Sequence, residues 1–496
     1  MFVKKKLSRY PSLYQINTRV WLKEMSRGSD RSATLDAISD EELDRLASMG
    51  FDWLWFLSVW ETGEAGKAIS RSHPTWQNDF CNTLSDLSEE DIVGSGFAIR
   101  RYVVAEQLGG DAALARLRER LHQRGMCLML DFVPNHGAPD HPWLEEHPEY
   151  FIEGSEGDIE RAPQNFIRVP TGNGEKIFAM GRDPYFDGWP DTVQFNYGNS
   201  GLQEAISGEL SRIAGQCDGV RCDMAMLLLP EVFQNTWGRT MVEFWPRAIE
   251  DARSINPNFL LMAEVYWDME WEMQQQGFDY AYDKRLYDRL HEGHAQSVRE
   301  HLQAGMMYQN KLVRFLENHD EPRAAATFSP AQHAAAAMIT FFTPGLRLFH
   351  QGQFEGRLKR ISPHLGRGPL EPVNESIQQF YEGLLALLRK EIFRDGDWSL
   401  LECTPASMGN HSYQAFLAFS WHGNDGKRVI IAVNYASQKG QCFLRLPYHD
   451  LQGKTWKLID LAGDDCYERH GNSLERDGLY LDIAAWRYHV FEFCES

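Results

Sequence analysis

The chain has 496 residues, more than one ordinary compact domain needs but enough for a large barrel with an appended module. Its composition of 43% hydrophobic, 24% charged and 12% aromatic residues argues for folded globular structure and against long disordered stretches. A formal charge of −20 disfavours nucleic acid and anionic lipid as partners, since Lys4-Lys5-Lys6 is only a short basic run.

In chain order, eight short apolar runs rich in β-forming residues stand out, at 12–22, 51–57, 126–133, 218–223, 259–265, 278–283, 312–318 and 346–350. Helical spacing fills most of the intervals, at 40–50, 111–125, 200–215, 239–253 and 330–342, with Gly50 and Gly125 as stop signals. Two intervals are much longer, 58–110 and 137–198, and connections of that length inside a compact domain are usually functional insertions. After the helix-like segment 375–393 the pattern changes to short alternating runs that continue to the end. The predicted fold is a (β/α)8 TIM barrel over 1–136 and 199–394, with an insertion domain after strand 3 at 137–198 and a C-terminal antiparallel β-sandwich at 395–496.

The start of the sequence lacks an apolar run of signal-peptide length, and no segment reaches the length of a membrane span. The eight cysteines are scattered, without CxxC pairs or metal-like clustering with His. A cytoplasmic protein with reduced thiols and no membrane or nucleic-acid partner is expected.

A parallel barrel gathers its chemistry at the C-terminal ends of its strands. Asp131, Asn135 and His136 follow the third predicted strand, Arg221 and Asp223 end the fourth, and Glu264 ends the fifth. Glu317, His319 and Asp320 end the seventh. One such carboxylate is most often a capping or ion-pairing residue. Several on one rim are different, because crowding like charges raises pKa values and costs stability that folding alone has no reason to spend.

The segments LDFVPNH (130–136), DGVRCDMAM (218–226), LLMAEVYW (260–267) and FLENHDEPR (315–323) resemble, in order and spacing, the four short sequence regions of the α-amylase family, glycoside hydrolase family 13. Weaker similarity runs through 113–125 and WPDTVQFN (189–196), and the resemblance covers about residues 12–390. It implies a retaining enzyme acting on α-glucosidic bonds of a carbohydrate substrate. Asp223 matches the nucleophile, Glu264 the general acid/base and Asp320 the third carboxylate, which stabilises the transition state. Arg221, His136 and His319 match substrate-side residues, and Phe97 stands where the family commonly has a stacking tyrosine. Asp131 and Asn135 resemble support residues, the first bracing the arginine and the second ordering the insertion, sometimes through calcium; no cofactor is needed for the chemistry itself.

The sequence departs from the starch-hydrolysing pattern after Asp223, where Met224 to Pro230 replace the usual Lys-His pair. This run reads either as strand-exit core packing or as an apolar acceptor site. QGQFEG (351–356) and LGRGPLEP (365–372) are similar to segments of members that act on glycogen-like glucans or transfer maltosyl units. Hydrolysis is the leading expectation, transglycosylation with the same residues the alternative, and an inactive amylase-like scaffold the least favoured reading.

Overall fold

The computed structural model describes residues 8–27, 32–172 and 174–496. The Lys4-Lys5-Lys6 run lies outside the described residues. Eight parallel strands close a barrel: β1 (Ser12–Asn17), β2 (Trp53–Leu57), β3 (Cys127–Phe132), β4 (Gly219–Cys222), β5 (Leu260–Ala263), β6 (Tyr280–Tyr282), β7 (Leu312–Arg314) and β8 (Leu346–His350). Each strand pairs with its sequence neighbours, and β1 closes the ring against β8 through Ser12↔Arg347 and Gln15↔His350. Covered on both faces, these strands are apolar without alternation; β1, β2 and β8 are buried at every position.

The strands occupy the predicted runs, and all but β2 and β8 stop sooner than expected, β1 and β7 for local reasons. The first was expected to reach residue 22 and ends at Asn17. The Asn17 carboxamide accepts a hydrogen bond from the Val20 amide at 3.3 Å and so caps a helix, α1 (Thr18–Met25). The seventh was expected to reach 318 and ends at Arg314, because Asn318 Oδ1 accepts from the Asp320 and Glu321 amides, both at 2.9 Å, and turns the chain at the barrel mouth. The helix expected at 239–253 is displaced to α2 (Trp245–Ile255), with Pro246 in its first turn, where a missing N–H costs nothing.

The interval 58–110 holds two helices, Glu64–Ser72 and Pro74–Thr83, and a two-stranded ribbon of Trp60–Thr62 with Ile99–Val104. Residues 137–198 include a hairpin, Phe166–Thr171 with Gly174–Ala179. The ends of this segment are zipped by the pairs His136↔Gln194 and Gly137↔Val193, so it leaves and rejoins the barrel at one point. Among the described residues, no helix is long and apolar enough to cross a membrane.

The C-terminal region forms two antiparallel sheets. One has six strands, in the order 397–400, 416–422, 428–434, 488–495, 455–460, 466–470, and the other has three, 403–405, 440–444 and 479–483. Residues from both sheets, among them Phe416, Ile430, Leu444, Trp456 and Phe491, share one core. Trp421 fastens this region to the barrel: its indole N–H donates to the Phe342 carbonyl at 3.0 Å, and its ring lies edge-on to Tyr10 at 5.3 Å and Phe393 at 5.8 Å. Trp421→Ala is expected to lower the unfolding free energy by roughly 3–5 kcal/mol through the cavity it leaves, read as an earlier urea midpoint. An unchanged midpoint would show that the junction carries no stability.

Candidate active site

The barrel mouth is organised around Arg221 on β4, whose side chain is 1% exposed. Its Nη1 lies 2.5 Å from Asp223 Oδ1, and its Nη2 lies 2.6 Å from Glu264 Oε1 and 3.8 Å from Asp320 Oδ2. Three exits from the barrel, after β4, β5 and β7, therefore converge on one guanidinium. Burial alone would pull Arg221 toward deprotonation; Glu264 and Asp223 outweigh that and hold it charged.

Glu264 is 2% exposed. Burial pushes its carboxyl up to about 8 against the pull of Arg221, and Asp223 and Asp320 add to the rise. Its Oε2 accepts from the Met224 amide at 2.7 Å and its Oε1 from the Tyr266 hydroxyl at 3.1 Å. Asp320 is the carboxylate open to the cleft, with 39% of its side chain exposed. Burial raises it too, opposed by Arg221 and Arg360, and water screens part of that rise.

Both histidines lie in this cluster. His319 Nε2 is 3.0 Å from Asp320 Oδ2, while Gln15 on β1 meets Nδ1 at 2.7 Å. With the Gln15 amide nitrogen donating, the ring's own proton sits on Nε2, the nitrogen beside Asp320. Burial, followed by the charge of Arg221, holds His319 well below the usual histidine range. Burial likewise lowers His136, whose ring packs 5.1 Å from Trp189. Phe97 stacks on His319 at 5.2 Å, and the Arg221 guanidinium carbon lies 5.2 Å from its ring centroid.

Both support positions are buried and hydrogen-bonded. The Asp131 carboxylate takes its hydrogen bonds from β2 and its exit, from Trp55 Nε1 at 2.9 Å and the Ser58 amide at 2.7 Å. Arg221, level with it on the neighbouring strand, acts on it through charge, and burial still pushes Asp131 up to about 6. Asn135 shares amide hydrogen bonds of 3.1 and 3.2 Å with Gln194, across the base of the 137–198 segment. It thus orders that segment directly.

The residues do not fit calcium at this position. Asn135 is already engaged, and among the described residues no three His, Cys, Asp or Glu side chains converge as metal ligands. Among the acidic residues of the 137–198 segment, Asp158 bonds Ser155 and Arg161, and Asp183 accepts from the Tyr185 and Phe186 amides. Asp191 keeps an unpartnered buried oxygen, and burial raises its carboxyl to about 7.

One rim carboxylate belongs elsewhere. Glu317 is tied to Arg323 at 2.6 Å, to His350 at 3.2 Å and to the Ala324 amide at 2.8 Å, a buried brace beside the cluster. The Met224–Leu229 run is core packing: Ala225 to Leu229 are buried, and only Met224 is half-exposed.

Sequence reasoning missed Gln15, Trp55, Tyr266 and Tyr282. Gln15 carried a signal, a polar residue inside the apolar run SLYQIN, and Tyr266 follows Glu264 by two residues. Trp55 and Tyr282, whose rings lie 5.6 and 5.9 Å from the Arg221 guanidinium, look like any other core aromatic in sequence. The backbone adds a further mark. Ser58, Met224, Trp267 and Asp268 all have positive φ, between 42° and 66°, and all follow barrel strands β2, β4 or β5. Such strain persists only where the surroundings over-determine it, and it concentrates at functional sites.

The Glu317 brace makes a pH prediction. Although burial opposes ionisation, Arg323 and His350 hold Glu317 down to about 2, so its stabilisation is complete above the ordinary glutamate range and is lost as pH falls toward 2. Thermal unfolding of Glu317→Gln should start from a lower Tm at pH 7 and lose less than the wild type between pH 5 and about 2.5. Parallel curves would refute the assignment.

A family model for the alpha amylase catalytic domain matches residues 26–363, inside the span of the sequence resemblance. Alpha-amylase MalA of Haloarcula japonica is 25% identical over 438 residues, covering 86% of this chain and 55% of that protein. An alpha-1,4-glucan:maltose-1-phosphate maltosyltransferase of Salinibacter ruber is 32% identical over 136 residues, 27% of this chain and 20% of its own length. This chain thus spans about half or less of these two relatives. Among solved structures, a noncanonic maltogenic alpha-amylase, AmyB, from Thermotoga neapolitana superposes with a TM-score of 0.70 at 18% identity, over 98% of this chain and 99% of that one. With the barrel, the rim residues and the family match in agreement, the chain belongs to the α-amylase family of glycoside hydrolases, family 13.

Proposed function

We propose that the protein hydrolyses α-glucosidic bonds in α-glucans or α-gluco-oligosaccharides with retention of configuration, through a glycosyl-enzyme formed on Asp223. The observation that carries this reading is the shared grip of Arg221 on an aspartate and on a glutamate that burial keeps protonated near neutrality. Two carboxylates held by one guanidinium favour the spacing of about 5–5.5 Å used in double displacement over the roughly 6.5–9.5 Å of inversion.

In the first step an Asp223 oxygen attacks the anomeric carbon as the glycosidic C–O bond breaks, and Glu264 gives its proton to the departing oxygen. In the second, the Glu264 carboxylate takes a proton from water, whose oxygen attacks the anomeric carbon and releases Asp223. Asp320, with His319 beside it, is positioned to hold sugar hydroxyls as the ring flattens. Arg221 holds the Asp223 carboxylate in place through its Nη1, 2.5 Å away. Asp131 and Asn135 act indirectly, one fixing the β2 exit and the other the base of the 137–198 segment. The reading takes 1–136 and 199–394 as the catalytic barrel and places the protein in the cytoplasm.

Transfer to a sugar acceptor is the second reading, favoured by the match to the maltosyltransferase. It needs only a sugar hydroxyl in place of water in the second step. Products from maltoheptaose separate the two: hydrolysis yields shorter chains with matching new reducing ends, whereas longer chains with little reducing-end gain would establish transfer.

Glu264→Gln should lower turnover of natural glucans by about 10²–10⁴-fold while sparing α-glucosyl fluoride, whose leaving group needs no proton. Because Glu264 must hold its proton, wild-type kcat/KM should fall as pH rises through about 8, and that limb should vanish in Glu264→Gln. Equal losses on both substrates would remove Glu264 from the acid/base role.

A further inference from the structure

Two cysteines meet in the three-stranded C-terminal sheet. Its edge strand, Cys403–Pro405, runs antiparallel to Gly440–Leu444, with Cys403 opposite Leu444 and Pro405 opposite Cys442. Side chains on a strand alternate between faces, so Cys403 and Cys442 are diagonal neighbours on one face. The Cys442 thiol donates to the Cys403 sulfur, and both cysteines are free.

The two sulfurs differ in access and in acidity. Cys442 is fully buried in the core that the two C-terminal sheets share. Cys403 is half-buried and lines a cavity of about 690 Å³ whose walls include Arg299, Leu302, Trp398 and Tyr413, so the cavity lies between the barrel helix Ala295–Leu302 and the C-terminal sheets. From that helix Arg299 donates to the Gln414 and Phe416 carbonyls at 2.8 and 2.5 Å, and the Phe416 carbonyl is also 3.8 Å from the Cys403 sulfur. The hydrogen bond from Cys442, joined by the charge of Arg299, holds the Cys403 thiol below its usual range against the effect of burial, while Cys442, the donor, is raised. Burial pushes the thiols of Cys217, Cys222 and Cys494 the other way, up.

We propose that Cys403 and Cys442 form a peroxide-sensitive dithiol, in which Cys403 is oxidised first, Cys442 resolves it, and the disulfide ties the edge strand to its neighbour. The Cys403 thiolate attacks one oxygen of hydrogen peroxide: an S–O bond forms, the O–O bond breaks, and the departing hydroxide takes up a proton as water. The Cys442 sulfur then attacks the sulfenic sulfur, the S–S bond forms as the S–O bond breaks, and the Cys442 proton leaves with that oxygen as a second water. Two electrons pass from the sulfur pair to one peroxide, and a thiol reductant reverses the change. Diagonal positions stand at the outer limit of disulfide reach, and a three-residue edge strand held by a single neighbour can close that distance. Closing the bond also joins residues 403 and 442 into a loop, which restricts the unfolded chain.

The test treats the full-length protein with hydrogen peroxide, alkylates the remaining thiols in urea and maps them by mass spectrometry. A peptide pair linking Cys403 to Cys442 should appear before the exposed Cys81 and Cys466 lose alkylation, and dithiothreitol should restore both thiols. In Cys442→Ala, dimedone should trap a sulfenic acid on Cys403. In Cys403→Ser, Cys442 should remain alkylatable. Bridged wild type should unfold at a higher urea concentration than the reduced form, a shift that both variants lose. Oxidation of Cys81 or Cys466 while Cys403 and Cys442 stay fully alkylatable would overturn the dithiol, and coincident urea curves for the bridged and reduced protein would overturn the tying of the strand. The wild-type peptide map decides the first point even if a variant fails to fold.

Discussion

Arg221 places a full positive charge inside the barrel mouth, and the surrounding residues make that charge tolerable. Asp223 and Glu264 are drawn to its two terminal nitrogens, Trp55, Phe97 and Tyr282 pack around it, and Asp320 stands at the edge of its field. The same burial that would discharge an isolated arginine makes its attraction for carboxylates strong, since little water screens it. One cation cannot satisfy three carboxylates equally. Asp320 stays in contact with solvent, and Glu264, wholly enclosed, keeps its proton to near pH 8. A raised proton affinity at Glu264 follows from burial that the one shared guanidinium does not offset.

The barrel supplies the rigidity this arrangement needs. Arg221, Asp223 and Glu264 project from neighbouring strands β4 and β5, whose register fixes Arg221 against Met262 and Cys222 against Ala263. Chain reversal just beyond the strands is achieved with left-handed residues at Ser58, Met224, Trp267 and Asp268. Two of these conformations aim backbone donors at acidic groups: the Ser58 amide at Asp131 and the Met224 amide at Glu264. The strain is thus tied to charge placement. Distant elements hold the scaffold in turn, with Glu317 and Arg323 bracing the β7 exit and Trp421 seating the C-terminal sheets against the barrel.

The 137–198 segment joins the cleft at both of its ends. Asn135 and Gln194 lock its base, and the loop 182–188 carries it across to Trp267. The histidine at its entry and the aromatic residues at its far edge are thereby fixed relative to Glu264 by hydrogen bonds and ring contacts.

The sequence by itself determined the eight strands, the change to antiparallel sheets near the C-terminus and the residues that close each strand. Each of these is written locally, in an apolar run and the polar residue that ends it. Asn17 and Asn318 lie inside the predicted runs, and their power to shorten β1 and β7 shows only when their carboxamides are seen to capture backbone amides. Tertiary structure alone decided which strand-end carboxylates share a site. Asp320 and Glu317 lie three residues apart, yet one enters the Arg221 field and the other a separate pair with Arg323. It also decided that Glu264 has a raised proton affinity, because that depends on burial contributed by segments far apart in the chain. The meeting of Tyr185 with Trp267 belongs to the same class: 82 positions separate them, and nothing within either segment encodes the other.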